Sequence, residues 1–301
     1  MSDLHAARRW LVLLLALYVC ACLLQIFPTH VPTLLIVTLH VVPPALFALL
    51  HGCRLYGTRG ILIFTALCLS IGSFFELFSL RTGFPFGPDS FTTVMGPKLF
   101  GLPILLSLAY LGLGYVSWLL ASLIVAATPR SGSGTFVTPL IAACIMTAWD
   151  LAMDPVWAYV DHAWIWRDGG AWFGVPITNF FGWLLTTWLF YQSFALCLRT
   201  EPARPASPAW NRLAILVYAI AAGGNLLLAL PSALPDTVPA TISDPAGRHW
   251  LTADAVHASI LVSMLVMMPF ALVAWVRAAH NRAENALSPS SISPKRDRVL
   301  V

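Results

Sequence analysis

Apolar residues gather into eight runs of membrane-crossing length: Trp10–Phe27, Val31–Leu50, Gly60–Leu80, Leu102–Ala127, Phe136–Val160, Asn179–Leu198, Leu213–Leu230 and Val256–Val276. About 20 apolar residues cross a hydrocarbon core as one helix. Pro, Gly, Ser or charge fills the connectors between the runs. The pattern predicts an all-α fold, a polytopic transmembrane bundle of about eight spans. Residues 1–276 form one domain, with a disordered cytoplasmic tail over 277–301, where Ser, Asn and charge prevail. The first run follows Arg8 and Arg9 and contains Val19-Cys20-Ala21-Cys22, a faint lipoprotein-type cleavage box. With so many spans behind it, an uncleaved anchor is the expectation.

Composition agrees. Of 301 residues, 58% are apolar and 10% charged, whereas soluble domains carry roughly 25% charged residues. The formal net charge of +4 does not mark a nucleic-acid binder, because the basic residues sort by side of the membrane. With a cytoplasmic amino terminus, the inner segments hold Arg8, Arg9, Arg54, Arg59, Arg130, Arg199, Arg204, Arg212, Arg277, Arg282, Lys295, Arg296 and Arg298. The outer segments hold only Arg81, Lys98, Arg167 and Arg248. This asymmetry fits the positive-inside rule and puts both termini in the cytoplasm of a multi-pass cell-membrane protein. Cys20, Cys22, Cys68, Cys144 and Cys197 lie within apolar runs, and Cys53 lies at a helix end. With no CxxC or metal-ligand spacing, they read as small core hydrophobes.

Two outer connectors, over residues 81–101 and 161–178, carry Gly, Pro and aromatics that include Trp164, Trp166, Trp172 and Phe173. They read either as an aromatic belt at headgroup level or as a lid over a cavity. Candidate chemistry lies beneath them. Of 13 acidic residues, only Glu76, Asp150 and Asp154 fall inside spans. Each is costly at membrane depth unless paired, protonated or hydrated. At 1.5 Å per residue, Glu76 stands ~24 Å from the cytoplasmic start of its span, and Asp150 and Asp154 ~21 and ~27 Å from theirs. Asp150 and Asp154, four residues apart, share a helix face. Two ionised carboxylates there would repel, so at least one is expected to carry a proton near neutral pH. Asn179 and Trp183 begin the next span at the same level, the first a hydrogen-bond donor and the second a cation-stabilising face. His40, beside Pro43 and Pro44, reads as a satisfied polar group at a kink.

The eight histidines include no closely spaced pair, so a His-box di-iron site has no ligands. HExxH, GxSxG, Walker and Rossmann patterns are missing as well. Acid–base chemistry on a lipid-soluble substrate, metal-bound diphosphate chemistry and ion-coupled transport remain.

Two long stretches carry a resemblance. One runs from Glu76-Leu77-Phe78 through Arg81-Thr82-Gly83-Phe84-Pro85-Phe86-Gly87 to Gly96-Pro97 and Gly101-Leu102-Pro103. The other joins Ala148-Trp149-Asp150-Leu151-Ala152-Met153-Asp154-Pro155 to Trp164-Ile165-Trp166, Phe173-Gly174-Val175-Pro176, Asn179-Phe180 and Gly182-Trp183. Over residues of about 70–190 the chain resembles the membrane carotenoid hydratases, which include bisanhydrobacterioruberin hydratases and γ-carotene 1′-hydratases. Pro88-Asp89-Ser90-Phe91 departs from a stretch where more tyrosine is expected.

The resemblance implies hydration of the terminal double bond of an acyclic carotenoid end group to a tertiary alcohol, without any cofactor. It makes Asp150 or Asp154 the proton donor, Glu76 a cation stabiliser or water-orienting base, and Asn179 a holder of water. Phe86, Trp149, Trp164, Trp166 and Trp183 would line the substrate site with Asn179. The implied partners are a lipid-soluble carotenoid, membrane lipids and other carotenoid-biosynthesis enzymes; no metal and no nucleic acid is expected. Two alternatives stand beside it. Asp150 and Asp154 have the spacing with which membrane prenyltransferases hold magnesium diphosphate, and intramembrane acids also serve proton-coupled transporters.

Overall fold

The computed structural model describes residues 2–200, 204, 206–234, 236 and 238–287. The long helices are α1 (Ser2–Leu24), α2 (Thr33–Thr82), α3 (Ile104–Val125), α4 (Thr138–Tyr159), α5 (Ile177–Leu198) and α6 (Pro208–Gly224). The last crossing combines α7 (Thr252–Val262) and α8 (Met268–Leu287) through a π-turn at Ser263–Met267. Among the described residues, seven helices are long and apolar enough to cross a membrane, so this is an all-α polytopic membrane protein.

Eight apolar runs thus become seven helices, because α2 takes up two of them. Within its 50 residues, Gly57 has non-helical torsions of φ 72° and ψ 171°. A Cβ built on Gly52 would lie 2.4 Å from Ile61 Cδ1, whereas in a straight helix residues so separated stand about 13 Å apart along the axis. The chain therefore doubles back at Gly57, and α2 is a helical hairpin. Arg204 closes the bend by donating its backbone N–H to the Leu55 carbonyl at 2.7 Å.

The core centres on α3, which is apolar nearly all round and therefore buried nearly all round. In a lipid-exposed bundle the polar ties between helices help to set register. Here they come largely from buried tyrosines: Tyr191 donates to the Gly114 carbonyl at 2.8 Å and Tyr218 to the Ile145 carbonyl at 2.7 Å. His51 Nε2 faces the Trp210 carbonyl at 3.0 Å and its Nδ1 meets Tyr115 Oη at 2.6 Å. A carbonyl only accepts, so Nε2 carries the proton and the Tyr115 hydroxyl donates to Nδ1. His40 matches its expected role, with Nδ1 2.9 Å from the Ile36 carbonyl one turn back.

Three connectors meet at one end of the bundle. Strand β1 (Asp89–Phe91), after α2, pairs antiparallel with β4 (Trp164–Trp166), after α4; the small hairpins β2 (Lys98–Leu99) with β3 (Leu102–Pro103) and β5 (Thr241–Ser243) with β6 (His249–Leu251) flank them. Asp244 ties in the third connector: it accepts the Gly170 N–H at 3.2 Å and the Arg248 Nε–H at 2.8 Å. At the carboxyl end, α8 continues to Leu287, into the tail expected to lack structure, through an alanine-rich sequence of high helix propensity. Residues 288–301 of that tail lie outside the described residues.

Gly57 occupies a backbone region that side chains reach at a cost of about 1–3 kcal/mol. Gly57→Ala is expected to lower stability by that amount in a detergent thermal melt. Gly132→Ala, at a right-handed helical position with open space around it, is expected to leave the melt unchanged.

Candidate active site

The three intramembrane carboxylates converge. Asp154 stands five residues before the end of α4 and Glu76 six before the end of α2, so both lie ~7–9 Å beneath the helix ends at the capped end of the bundle. Asp150, one turn deeper on the same face, and Asn179, in the first turn of α5, complete this layer. Asp150 and Asp154 are each 1% exposed and Glu76 is 6% exposed.

Each carboxylate has a protein donor. The Asn179 amide nitrogen donates to both aspartates, to Asp150 Oδ2 at 2.9 Å and to Asp154 Oδ2 at 2.6 Å. The Asp154 Oδ1 accepts indole N–H groups from Trp164 at 2.7 Å and Trp166 at 3.3 Å. Glu76 Oε1 accepts the Tyr110 hydroxyl at 2.7 Å. Tyr110, on α3, stacks on Trp183 of α5, with ring centroids 4.5 Å apart and planes 6° from parallel. Trp183 thus has one face against Tyr110 and lines the same cavity as the acids.

That cavity is a narrow space between α2, α3, α4, α5 and the cap. Glu76, Asp150, Asp154, Phe86, Trp164, Trp166, Asn179 and Trp183 all line it, so eight of the nine residues singled out from sequence meet in one place. Trp149 lies behind Trp183, in an edge-on contact at 6.0 Å between centroids, and lines the adjoining cavity instead. Asn179 acts as a clamp on the two aspartates, its amide nitrogen already committed to them. Gly182 seats Phe86: a Cβ there would come within 2.6 Å of the Phe86 ring and 2.9 Å of the Pro85 backbone.

The tryptophans of the second connector do not form a headgroup belt. Along β4, Trp164 and Trp166 are 5% and 4% exposed and Ile165 is 53% exposed, the two-residue alternation of a strand with one face buried. The inward face carries both indoles to Asp154. Trp172 also turns inward, donating its N–H to the Leu151 carbonyl at 3.1 Å.

Sequence reasoning missed two members of the site. Tyr110 lies in an apolar run in which a tyrosine reads as packing. Asp89 looked like an ordinary connector acid, yet β1 turns it into the cavity, where it is 6% exposed and forms a fourth carboxylate. Its pairing with Trp166 across the sheet places it there, and the departure at Pro88-Asp89-Ser90-Phe91 was the available signal.

A sequence profile described as carotenoid biosynthesis protein matches residues 31–242. The chain belongs to the carotenoid biosynthesis protein family. The match extends well beyond the stretch of about 70–190 that carries the recognisable motifs, taking in the whole α2 hairpin and α6. No curated protein and no solved structure matches the chain.

Burial pushes the Asp89 carboxyl up to about 7, against the pull of the Arg167 guanidinium. The folded state therefore favours the protonated acid. The resulting stability is complete below about pH 4 and lost as pH rises through about 7. Asp89→Asn, which cannot ionise, is expected to flatten part of the decline in melting temperature across that window; an unchanged slope would refute the assignment.

Proposed function

We propose that the protein is a carotenoid hydratase of the cell membrane, a hydro-lyase that adds water across the terminal double bond of an acyclic end group. The observation that carries this reading is the buried pair Asp150 and Asp154, bridged by one amide nitrogen in a cavity that Trp164, Trp166 and Trp183 also line. Membership of a carotenoid biosynthesis family supplies the substrate class.

The chemistry follows from the donors. Three N–H groups reach Asp154 and one reaches Asp150. Hydrogen bonds from N–H groups favour a carboxylate over a carboxylic acid, so Asp154 holds the negative charge and Asp150 the proton. Asp150 transfers that proton to the less substituted alkene carbon, and the π electrons form the new C–H bond. The tertiary carbon is left as a cation, which the Asp154 charge and the Trp183 face stabilise. A water oxygen then bonds to that carbon, and the surplus proton passes to a carboxylate of the cluster. One water is added and no electrons are exchanged. Glu76, held by Tyr110, and Asp89, beneath the cap, are the further acceptors for that proton. The same hydrogen bonds count against a magnesium diphosphate site, because Asn179 already donates to the aspartate oxygens that would have to hold the ion.

Expression in cells that accumulate lycopene is expected to yield pigments heavier by one or two waters. General acid–base groups contribute about 10²–10⁴ in rate. Asp150→Asn and Asp154→Asn should each lower product formation at least about a hundredfold while the protein still inserts. Near-normal activity in both would remove the catalytic assignment, and longer carbon skeletons in place of added water would point to prenyl transfer.

A further inference from the structure

The acid cavity is too small for a long polyene, and the space beyond it offers a place for the rest. A second cavity lies alongside, sharing the lining residues Leu106, Met153 and Trp164 with the first. Its lining is largely apolar and aromatic, with Tyr18, Val41, Ala109, Trp149, Trp157 and Ala221 drawn from α1, α2, α3, α4 and α6. A third, roomier than the other two, shares Gln25, His40, Trp157 and Asn225 with the second. It reaches Pro28, Thr29, Val160 and Asp161, at the capped end of the bundle. Met153 lines all three.

We infer that the three cavities form one binding channel for the hydrocarbon chain of the substrate, with the reacting end group at Asp150 and Asp154. This assignment rests on the hydratase reading for the position of the reacting end, and on the shared walls for the path. A hydrophobic chain needs a wall without unsatisfied donors, and Gln25, His40 and Asn225 along the path are tied back. Gln25 Nε2 donates to the Gly224 carbonyl at 2.8 Å and Asn225 Nδ2 to Ser263 Oγ at 2.8 Å. The His40 Nδ1 is 2.9 Å from the Ile36 carbonyl. The indoles and the Tyr18 ring give flat faces against which a conjugated chain can lie. At its far end the path runs between Thr33 and Ile36 at the start of α2 and Leu228, Ala233, Leu234 and Val238.

Ala221 on α6 and Ala109 on α3 face the second cavity and do not line the acid cavity. Ala221→Phe and Ala109→Phe would each place a ring across the channel. The experiment compares purified wild type and variants on lycopene and on a short alkene with the same isopropylidene end group, and follows lycopene binding by quenching of tryptophan fluorescence. Each variant is expected to lower the ratio of lycopene to short-alkene turnover at least tenfold and to weaken quenching at least tenfold. Folded variants, judged by their melting temperature, that keep both the ratio and the quenching of wild type would overturn the channel. If wild type binds lycopene, the variants do not, and no alcohol forms with either substrate, the channel stands and the hydration reading falls. Should one variant fail to fold, the other, on the opposite wall, decides.

Discussion

Burying carboxylates in a membrane bundle is the constraint around which this molecule is built. An ionised or even neutral carboxyl at membrane depth costs several kcal/mol unless the protein supplies its hydrogen-bond partners, and Asp150, Asp154 and Glu76 draw theirs from three different elements, α3, β4 and α5. Asn179 brings the start of α5 against α4, Tyr110 locks α3 to the second arm of α2, and Trp164 and Trp166 pull the connector strand down onto Asp154. The cap, the central helix and the hairpin in α2 all act to bring a donor to an acid. An arrangement that only stabilised the bundle would be better served by apolar residues of the same volume. The acids are therefore best understood through the chemistry they can do.

The division of donors gives the two aspartates different parts despite their shared helix face. Asp154 is surrounded by N–H groups from a strand and a neighbouring helix, whereas Asp150 has only the shared amide. In the proposed hydration, one fold thus supplies a charged and a protonated carboxyl to the same reacting bond, the pairing that acid–base catalysis requires. The face-on stack of Tyr110 and Trp183 couples the third acid, Glu76, to the aromatic wall, so the polar and apolar halves of the site are positioned by the same side chains.

Much of this could be read from the chain, because hydropathy in a membrane protein reports the spans directly and an acid within a span has few innocent explanations. The depth argument placed Glu76, Asp150 and Asp154 in one layer with Asn179 and Trp183 at the same level, and the four-residue spacing of Asp150 with Asp154 placed that pair on one face. What escaped was decided by backbone geometry or by partners distant in sequence. The runs on either side of Gly57 marked a reversal, but nothing local showed that it would be made at a single glycine within otherwise continuous helix. Tyr110 is a packing residue until a neighbouring helix presents Glu76 to it. Asp89 is a solvent-facing loop acid until three residues of β1 pair with Trp164–Trp166. The alternation Trp-Ile-Trp was visible, and it distinguishes a strand with an inward face from a belt of indoles facing lipid.

The central claim is that the acid cavity protonates an alkene and captures water, and the origin of the atoms tests it most directly. Product should be formed in water enriched in heavy oxygen and, separately, in deuterium oxide, and then analysed by mass. The account predicts that the tertiary hydroxyl oxygen comes from water and that one solvent deuterium appears on the adjacent carbon. Hydroxyl oxygen derived from dioxygen, or an adjacent carbon without deuterium, would contradict it.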